Sequence, residues 1–334
     1  MKILIYLTNL PPNKITAMKH YGIPYQGSKE KILHLIDYIF NRENNKKYFI
    51  DPFCGGFCVS AYALERTKFK VLANDLNHYV IAIYKEILFN NSREISRVWF
   101  DWVSREKFIG VRENPSKYPS WYVGYVLTIW SFGNSQSQYL FGKDNEEIKR
   151  EAHKYLLENG YKENQKLRID LIKKFKEKEK KTDRFELQQL EQLERLQQLE
   201  RLEQLQRLER LQQLQRLERL ESMDWYDFIQ SIPKNILEQS FIYCDPPYEN
   251  TRKYQVGSMD YKFFWKWFRE CPYPVYVSSY EAPEDIKPIN FTKKIVLTSA
   301  QKTRKRKLEN IYFNRKGEQC ATLYDLLFNQ SPTK

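Results

Sequence analysis

The stretch Phe241-Ile242-Tyr243-Cys244-Asp245-Pro246-Pro247-Tyr248 constrains the fold most. Four apolar or aromatic residues favour a buried strand, and two consecutive prolines end it abruptly. Each proline fixes its own φ, and Asp245 and Pro246, which both precede a proline, are pushed toward extended backbone. The corner is therefore stiff. It presents a carboxylate, a carbonyl outside any helix and an aromatic face at the carboxyl end of a strand, where open α/β sheets place their ligands.

The N-terminal third supplies companions for that corner. Tyr25-Gln26-Gly27-Ser28-Lys29 precedes the helical spacing of Ile32, Leu35, Ile36 and Ile39. Gly27 permits close backbone approach to a ligand, and Ser28 is placed to cap the helix. A short strand, Tyr48-Phe49-Ile50, runs into Asp51-Pro52-Phe53-Cys54-Gly55-Gly56-Phe57-Cys58 and a helix from Val59 to Glu65. Strand, glycine turn and helix together form a cradle for a nucleotide-like ligand. A second strand, Lys70 to Ala73, ends at Asn74-Asp75, about twenty residues beyond the glycines, which is the spacing for a carboxylate that accepts from ribose hydroxyls.

From Tyr84 to about Tyr155 the pattern is helical and rich in aromatics, among them Trp99, Trp102, Trp121, Tyr122, Tyr125 and Trp130, and most of these read as the core of a small helical subdomain. Within it, Phe132 to Tyr139 mixes rings with amides and hydroxyls. Amides such as those of Asn134 and Gln136 are suited to base edges, and rings to stacking on an unpaired base. Then, from Leu187 to Leu220, leucine recurs at every third position between Glu, Gln and Arg. Three-residue steps fall short of a full α-helical turn, and a 3₁₀-helix of this length is unusual. The expectation is a helix of unspecified kind, acting as a spacer or a self-association element.

Beyond the proline corner, Tyr261 to Arg269 reads as an aromatic helix, and Pro274 to Ser279, Ile295 to Ser299 and Ile311-Tyr312-Phe313 read as strands. Five of the six residues from Lys302 to Lys307 are basic. At a hairpin tip, Lys302, Arg304, Lys305 and Arg306 are either simply solvated or in contact with phosphates. The formal net charge of +13 leaves the same two readings open for the whole chain, a polyanionic partner or a lysine-rich surface. The five cysteines form no CxxC pair and no zinc spacing, which fits reduced thiols in a cytosolic protein. Met1 to Leu10 is too short for a spanning helix and lacks the features of a secretory signal, so no membrane role is expected.

In this order, Tyr25 to Lys29, Asp51 to Gly56, Asn74-Asp75 and Asp245-Pro246-Pro247-Tyr248 resemble the Dam-like (D12 class) S-adenosylmethionine-dependent DNA adenine-N6 methyltransferases. The resemblance implies a Rossmann-like α/β fold with an inserted helical DNA-recognition region and, outside the family pattern, the leucine-repeat insert. It implies cofactor contacts from Tyr25, Gly27, Lys29, Asp51, Phe53, Gly55 and Asp75, with Asp224 or Asp227 for the cofactor's adenine. Asp245 and the Pro246 carbonyl accept from the adenine amino group by this analogy, and Tyr248 stacks on the extruded base. Neither an enzyme nucleophile nor a metal is required. Phe57 stands where many members carry another glycine.

The implied organisation is a catalytic domain in two parts, 1–85 and 223–334, with the helical DNA-recognition region at 86–165 and a basic linker plus leucine repeat at 166–222. The implied function is site-specific methylation of double-stranded DNA, of the restriction-modification kind, in the cytoplasm of a bacterial or phage-infected cell. Two other readings stand beside it. One is a non-catalytic DNA-binding scaffold assembled through the leucine repeat, and the other a methyltransferase acting on RNA or a protein amide.

Overall fold

The computed structural model describes residues 21–90, 93–99, 101–143, six residues between 146 and 154, and the segments 216–247, 259–293 and 309–315. Seven strands form one sheet: β1 (Tyr48–Asp51), β2 (Lys70–Asn74), β3 (Leu217–Glu221), β4 (Ser240–Cys244), β5 (Val275–Ser279), β6 (Pro288–Lys293) and β7 (Glu309–Phe313). Their order is β3-β2-β1-β4-β5-β7-β6. The first five are parallel, and β7 is antiparallel to both of its neighbours. The strand order reverses between β1 and β4, so the crevice for a ligand opens at their carboxyl ends.

Both faces of the sheet are covered, which is why its central strands read as unbroken apolar runs rather than as alternating ones. Phe49, Val71, Ala73, Phe241, Tyr243 and Tyr276 face one hydrophobic core, and Ile50, Leu72, Ile242, Cys244, Val275 and Val277 face the other. The first core takes residues from helices α1 (Leu33–Arg42), α2 (Cys58–Arg66) and α3 (His78–Leu88). After α4 (Arg93–Val98) and α5 (Arg105–Glu113), helix α6 (Ser120–Ile129) joins the same core. Here α6 crosses α3 so closely that a Cβ on Gly124 would lie 2.1 Å from the Tyr79 carbonyl oxygen. The second core is closed by α7 (Trp225–Gln230), α8 (Lys234–Leu237) and α9 (Tyr261–Glu270). Among the described residues no helix is long and apolar enough to cross a membrane.

The aromatics Trp99, Tyr125 and Trp130, expected as the core of a separate helical subdomain, belong to the same core as one face of the sheet. Trp99, Tyr125 and Trp130 are buried, and they are linked by hydrogen bonds from the Tyr125 hydroxyl to the Trp99 carbonyl and from Trp130 Nε1 to the Tyr125 hydroxyl, 3.0 Å each.

Two expectations need correction. The end of the leucine repeat is not helical: Leu217–Glu221 is the edge strand β3, parallel to β2, so these residues belong to the sheet and not to the 166–222 insert. Leucines three apart would point to opposite faces of a regular strand. A register shift opposite Val71 and Leu72 removes the conflict, and both Leu217 and Leu220 pack on the first core. Leu187 to Leu214 lie outside the described residues. Ser28 does not cap a helix; the helical turn at Glu30–Ile32 and α1 both begin without a side-chain cap. The strand at Pro288–Lys293 is not among the expected elements. The expected strand at Ile295 to Ser299 and the run from Lys302 to Lys307 both lie outside the described residues, in the connection from β6 to β7.

The loops at the ligand edge are joined by Asn74, which is fully buried. Its amide nitrogen donates to the carbonyls of Pro52 (3.1 Å) and Met223 (3.0 Å), and its amide oxygen accepts from the Met223 N–H (3.1 Å). Replacement by Ala leaves buried backbone groups unpaired. Asn74→Ala is expected to lower the unfolding free energy by roughly 2–4 kcal/mol, seen as a lower urea midpoint at an unchanged slope.

Candidate active site

The carboxyl ends of β1, β2 and β4 surround a cavity of about 390 Å³. Tyr25, Gly27, Lys29, Asp51, Phe53, Gly55, Asp75, Asp224 and Asp245 all line it. Residues expected from four separated motifs thus converge on one space. Pro247 also faces it, whereas Pro246 is buried and is not among the lining residues. Asp227 is exposed on α7 and does not line the cavity. Tyr248, Lys302, Arg304, Lys305 and Arg306 lie outside the described residues.

The glycine turn is shaped by what stands behind it. A Cβ on Gly56 would lie 2.4 Å from Cβ of Tyr25, so a side chain there would displace the Tyr25 segment. The Gly56 carbonyl accepts from the Tyr84 hydroxyl (2.6 Å) and from the Ile23 N–H (3.1 Å), and the Ile23 N–H also reaches the Tyr84 oxygen at 3.0 Å. Tyr84 therefore clasps the two loops together. Phe57 adopts φ 60°, the left-handed backbone that favours glycine. Its ring is fully buried against that of Tyr84, with centroids 4.7 Å apart, and it does not line the cavity.

Three of the carboxylates that line the space stand at or just beyond the ends of β1, β2 and β4. Asp75 accepts from the Gly55 N–H and the Asn77 N–H, 2.8 Å each. Each oxygen thus retains lone pairs for further donors. Asp245 is held from two sides, by Lys29 Nζ at 2.7 Å from Oδ2 and by the Ser278 hydroxyl, which donates to Oδ1 at 3.0 Å. Ser278 in turn accepts from the Tyr243 hydroxyl at 3.0 Å, and Lys29 also donates to the Gly27 carbonyl at 2.9 Å. Asp51 is 2% exposed. Its Oδ2 accepts from the Ser60 hydroxyl at 2.7 Å, while its Oδ1 has no partner among the described residues. Burial, with the neighbouring Asp245 and Asp75 charges, pushes the Asp51 pKa up to about 7, against the lowering effect of Ser60. Burial likewise raises the thiols of Cys54 and Cys244 well above their ordinary value, so neither is suited to act as a nucleophile.

The opposite wall is aromatic. Phe53 stacks on Trp225 with centroids 5.9 Å apart, and Tyr226 meets Phe263 edge-on at 4.9 Å. Asp224 caps α7 by accepting from the Tyr226 N–H at 2.8 Å. Tyr84, Ser278, Tyr226 and Phe263 escaped the sequence reading. None carries a local motif, and each arrives from another element. Gln136 and Asn134 are turned inward. The buried Gln136 amide bonds to Thr128 and Asn77, and the Asn134 amide nitrogen donates to the Thr128 carbonyl.

A mostly parallel sheet with its cavity at the switch point defines a Rossmann-like enzyme that binds a nucleotide-like ligand. The family model of the D12 class N6 adenine-specific DNA methyltransferase matches residues 25–270, well over half of the chain, and the chain belongs to that family. It is accordingly an adenine-specific DNA methyltransferase that uses S-adenosylmethionine as methyl donor and acts on adenine N6. No curated protein matched the chain. The cavity fits this cofactor: the partnerless Asp51 oxygen suits a cationic donor, Asp75 suits vicinal hydroxyls, and the aromatic wall suits a purine.

A pH dependence follows from Asp51. Its pKa is near 7 in the folded protein and 3.8 as the ordinary value, so between these limits the native state binds more protons than the unfolded chain. Stability contributed by the neutral acid is complete below about pH 4 and is lost as pH rises through about 7. Urea titrations are expected to show a loss on the order of 2–4 kcal/mol between about pH 4 and pH 8, much reduced in Asp51→Asn.

Proposed function

We propose that Asp245 is the catalytic carboxylate and that the cavity residues divide between holding the cofactor and aligning the adenine. The observation that carries this reading is the Lys29–Asp245 pair, set in the same cavity as Asp51 and Asp75. The cofactor supplies an electrophilic methyl group when bound. Asp75 accepts from its ribose hydroxyls, Asp51 receives its cationic portion, and Phe53, Trp225 and Tyr226 cover its purine, with Asp224 rather than Asp227 at the base edge. Tyr25, Gly27 and Gly55 shape the backbone around it.

The adenine amino nitrogen is a poor nucleophile because its lone pair is delocalised into the ring. Asp245 and the Pro246 carbonyl accept its two N–H bonds, which draws density onto nitrogen and fixes its direction of attack. Lys29 and Ser278 hold the Asp245 carboxylate in orientation at the cavity. In this reading the DNA is double-stranded, the adenine leaves the duplex at a cost of a few kcal/mol, and Tyr248 stacks on it. The helical region over 86–165 and the basic run at Lys302 to Lys307 contact the DNA, with phosphate affinity that weakens as salt rises. The described part of the leucine repeat serves the sheet, and the remainder is a spacer or self-association element.

Transfer of labelled methyl groups to duplex DNA is the direct test. Asp245→Ala is expected to lower kcat by at least about a hundredfold while the cofactor Kd, measured by calorimetry, stays within a few-fold; an unchanged rate would refute the assignment. Asp224→Ala is expected to weaken cofactor binding and Asp227→Ala to leave it unchanged.

A further inference from the structure

The loop from Ser131 to Tyr139 is braced from within and leaves Phe132, Ser137 and Gln138 exposed. Its ends are joined by the Ser131–Tyr139 bridge and by a hydrogen bond from the Phe132 N–H to the Gln138 carbonyl at 2.8 Å. Within it, Asn134 (φ 54°) and Gln136 (φ 60°) both adopt left-handed backbone without being glycine. Such conformations persist where the surroundings over-determine them, and they concentrate at functional sites.

Here the surroundings are explicit. Gln136 Nε2 donates to Thr128 Oγ1 at 2.7 Å, Gln136 Oε1 accepts from Asn77 Nδ2 at 3.0 Å, and the Gln136 N–H donates to Ser131 Oγ at 3.0 Å. Arg112 Nη1 donates to the Ser137 carbonyl at 2.7 Å. Asn77 is the structural link, because it caps α3 and also lines the cofactor cavity. The Asn77–Gln136 hydrogen bond therefore ties the loop to the cavity wall.

What this braced loop displays is Phe132. It is 62% exposed, more than Phe89, Leu76 or Phe263, the other exposed large hydrophobics among the described residues. Leaving the ring in water forgoes the stabilisation that burying it would bring. The rigid presentation suits a flat, apolar partner, and the substrate of this enzyme has one in every base. We propose that Phe132 is a DNA-contacting residue whose ring stacks on a base flanking the target adenine, with Asn134 and Gln136 as the braces that aim it. The proposal rests on DNA methylation as the activity.

The test compares the full-length protein with Phe132→Ala and Phe132→Trp in methyl transfer to duplex DNA, and in binding to a duplex carrying 2-aminopurine beside the target adenine. Phe132→Ala is expected to raise the KM for DNA about tenfold, as loss of one base stack does, and to alter the 2-aminopurine signal. The cofactor Kd and Tm should be unchanged, and Phe132→Trp should retain the wild-type KM. A wild-type KM in Phe132→Ala, or a loss matched by a fall in Tm or cofactor affinity, overturns the stacking role. Failure of the unsubstituted protein to methylate DNA at all would instead overturn the activity on which the proposal depends.

Discussion

A parallel sheet collects the carboxyl ends of its strands on one edge, and this chain places a carboxylate at the end of each of three neighbouring strands. Asp51 closes β1, Asp75 follows β2 and Asp245 follows β4. Bringing like charges together in a partly desolvated space is unfavourable, and the rest of the site answers that cost. Lys29 and Ser278 answer it at Asp245, backbone N–H groups at Asp75, and protonation near neutral pH at Asp51.

The supporting groups come from distant parts of the chain. Tyr84 lies on α3 and fastens the glycine loop to the segment that carries Tyr25 and Lys29. Asn74 ties the loop after β1 to the loop after β3. Both use buried hydrogen bonds, which are costly to leave half-made and so specify a single arrangement. One buried group has no such answer. Asp51 Oδ1 is buried with no hydrogen-bond partner among the described residues, and a buried polar atom left unpaired costs stability.

The helical region continues the same device outward. Its aromatic residues are largely core, with Trp99, Tyr125 and Trp130 sealed inside. A hydrogen bond from Asn77 to Gln136 joins its surface loop to the cavity wall.

The local chemistry of strands and turns was legible in the residues themselves. An apolar run stopped by Pro246 and Pro247, glycines after Asp51 and an acid after β2 each depend on a few adjacent positions, and all meet at the cavity. The leucine period was misleading, because a spacing of three matches neither a regular strand nor an α-helix; only a register shift against β2 lets Leu217 and Leu220 share a face. Partner choice was likewise invisible. Asp224 and Asp227 look alike three residues apart, yet the direction of α7 turns one toward the cavity and the other to solvent. Gln136 looks like a base reader until Thr128 and Asn77 take its amide. Sequence alone determined which chemical groups stand at the ends of the strands, because backbone preference and hydrophobic pattern are local. Tertiary structure decided which of those groups remain available to a ligand, because that depends on contacts between residues tens or hundreds of positions apart.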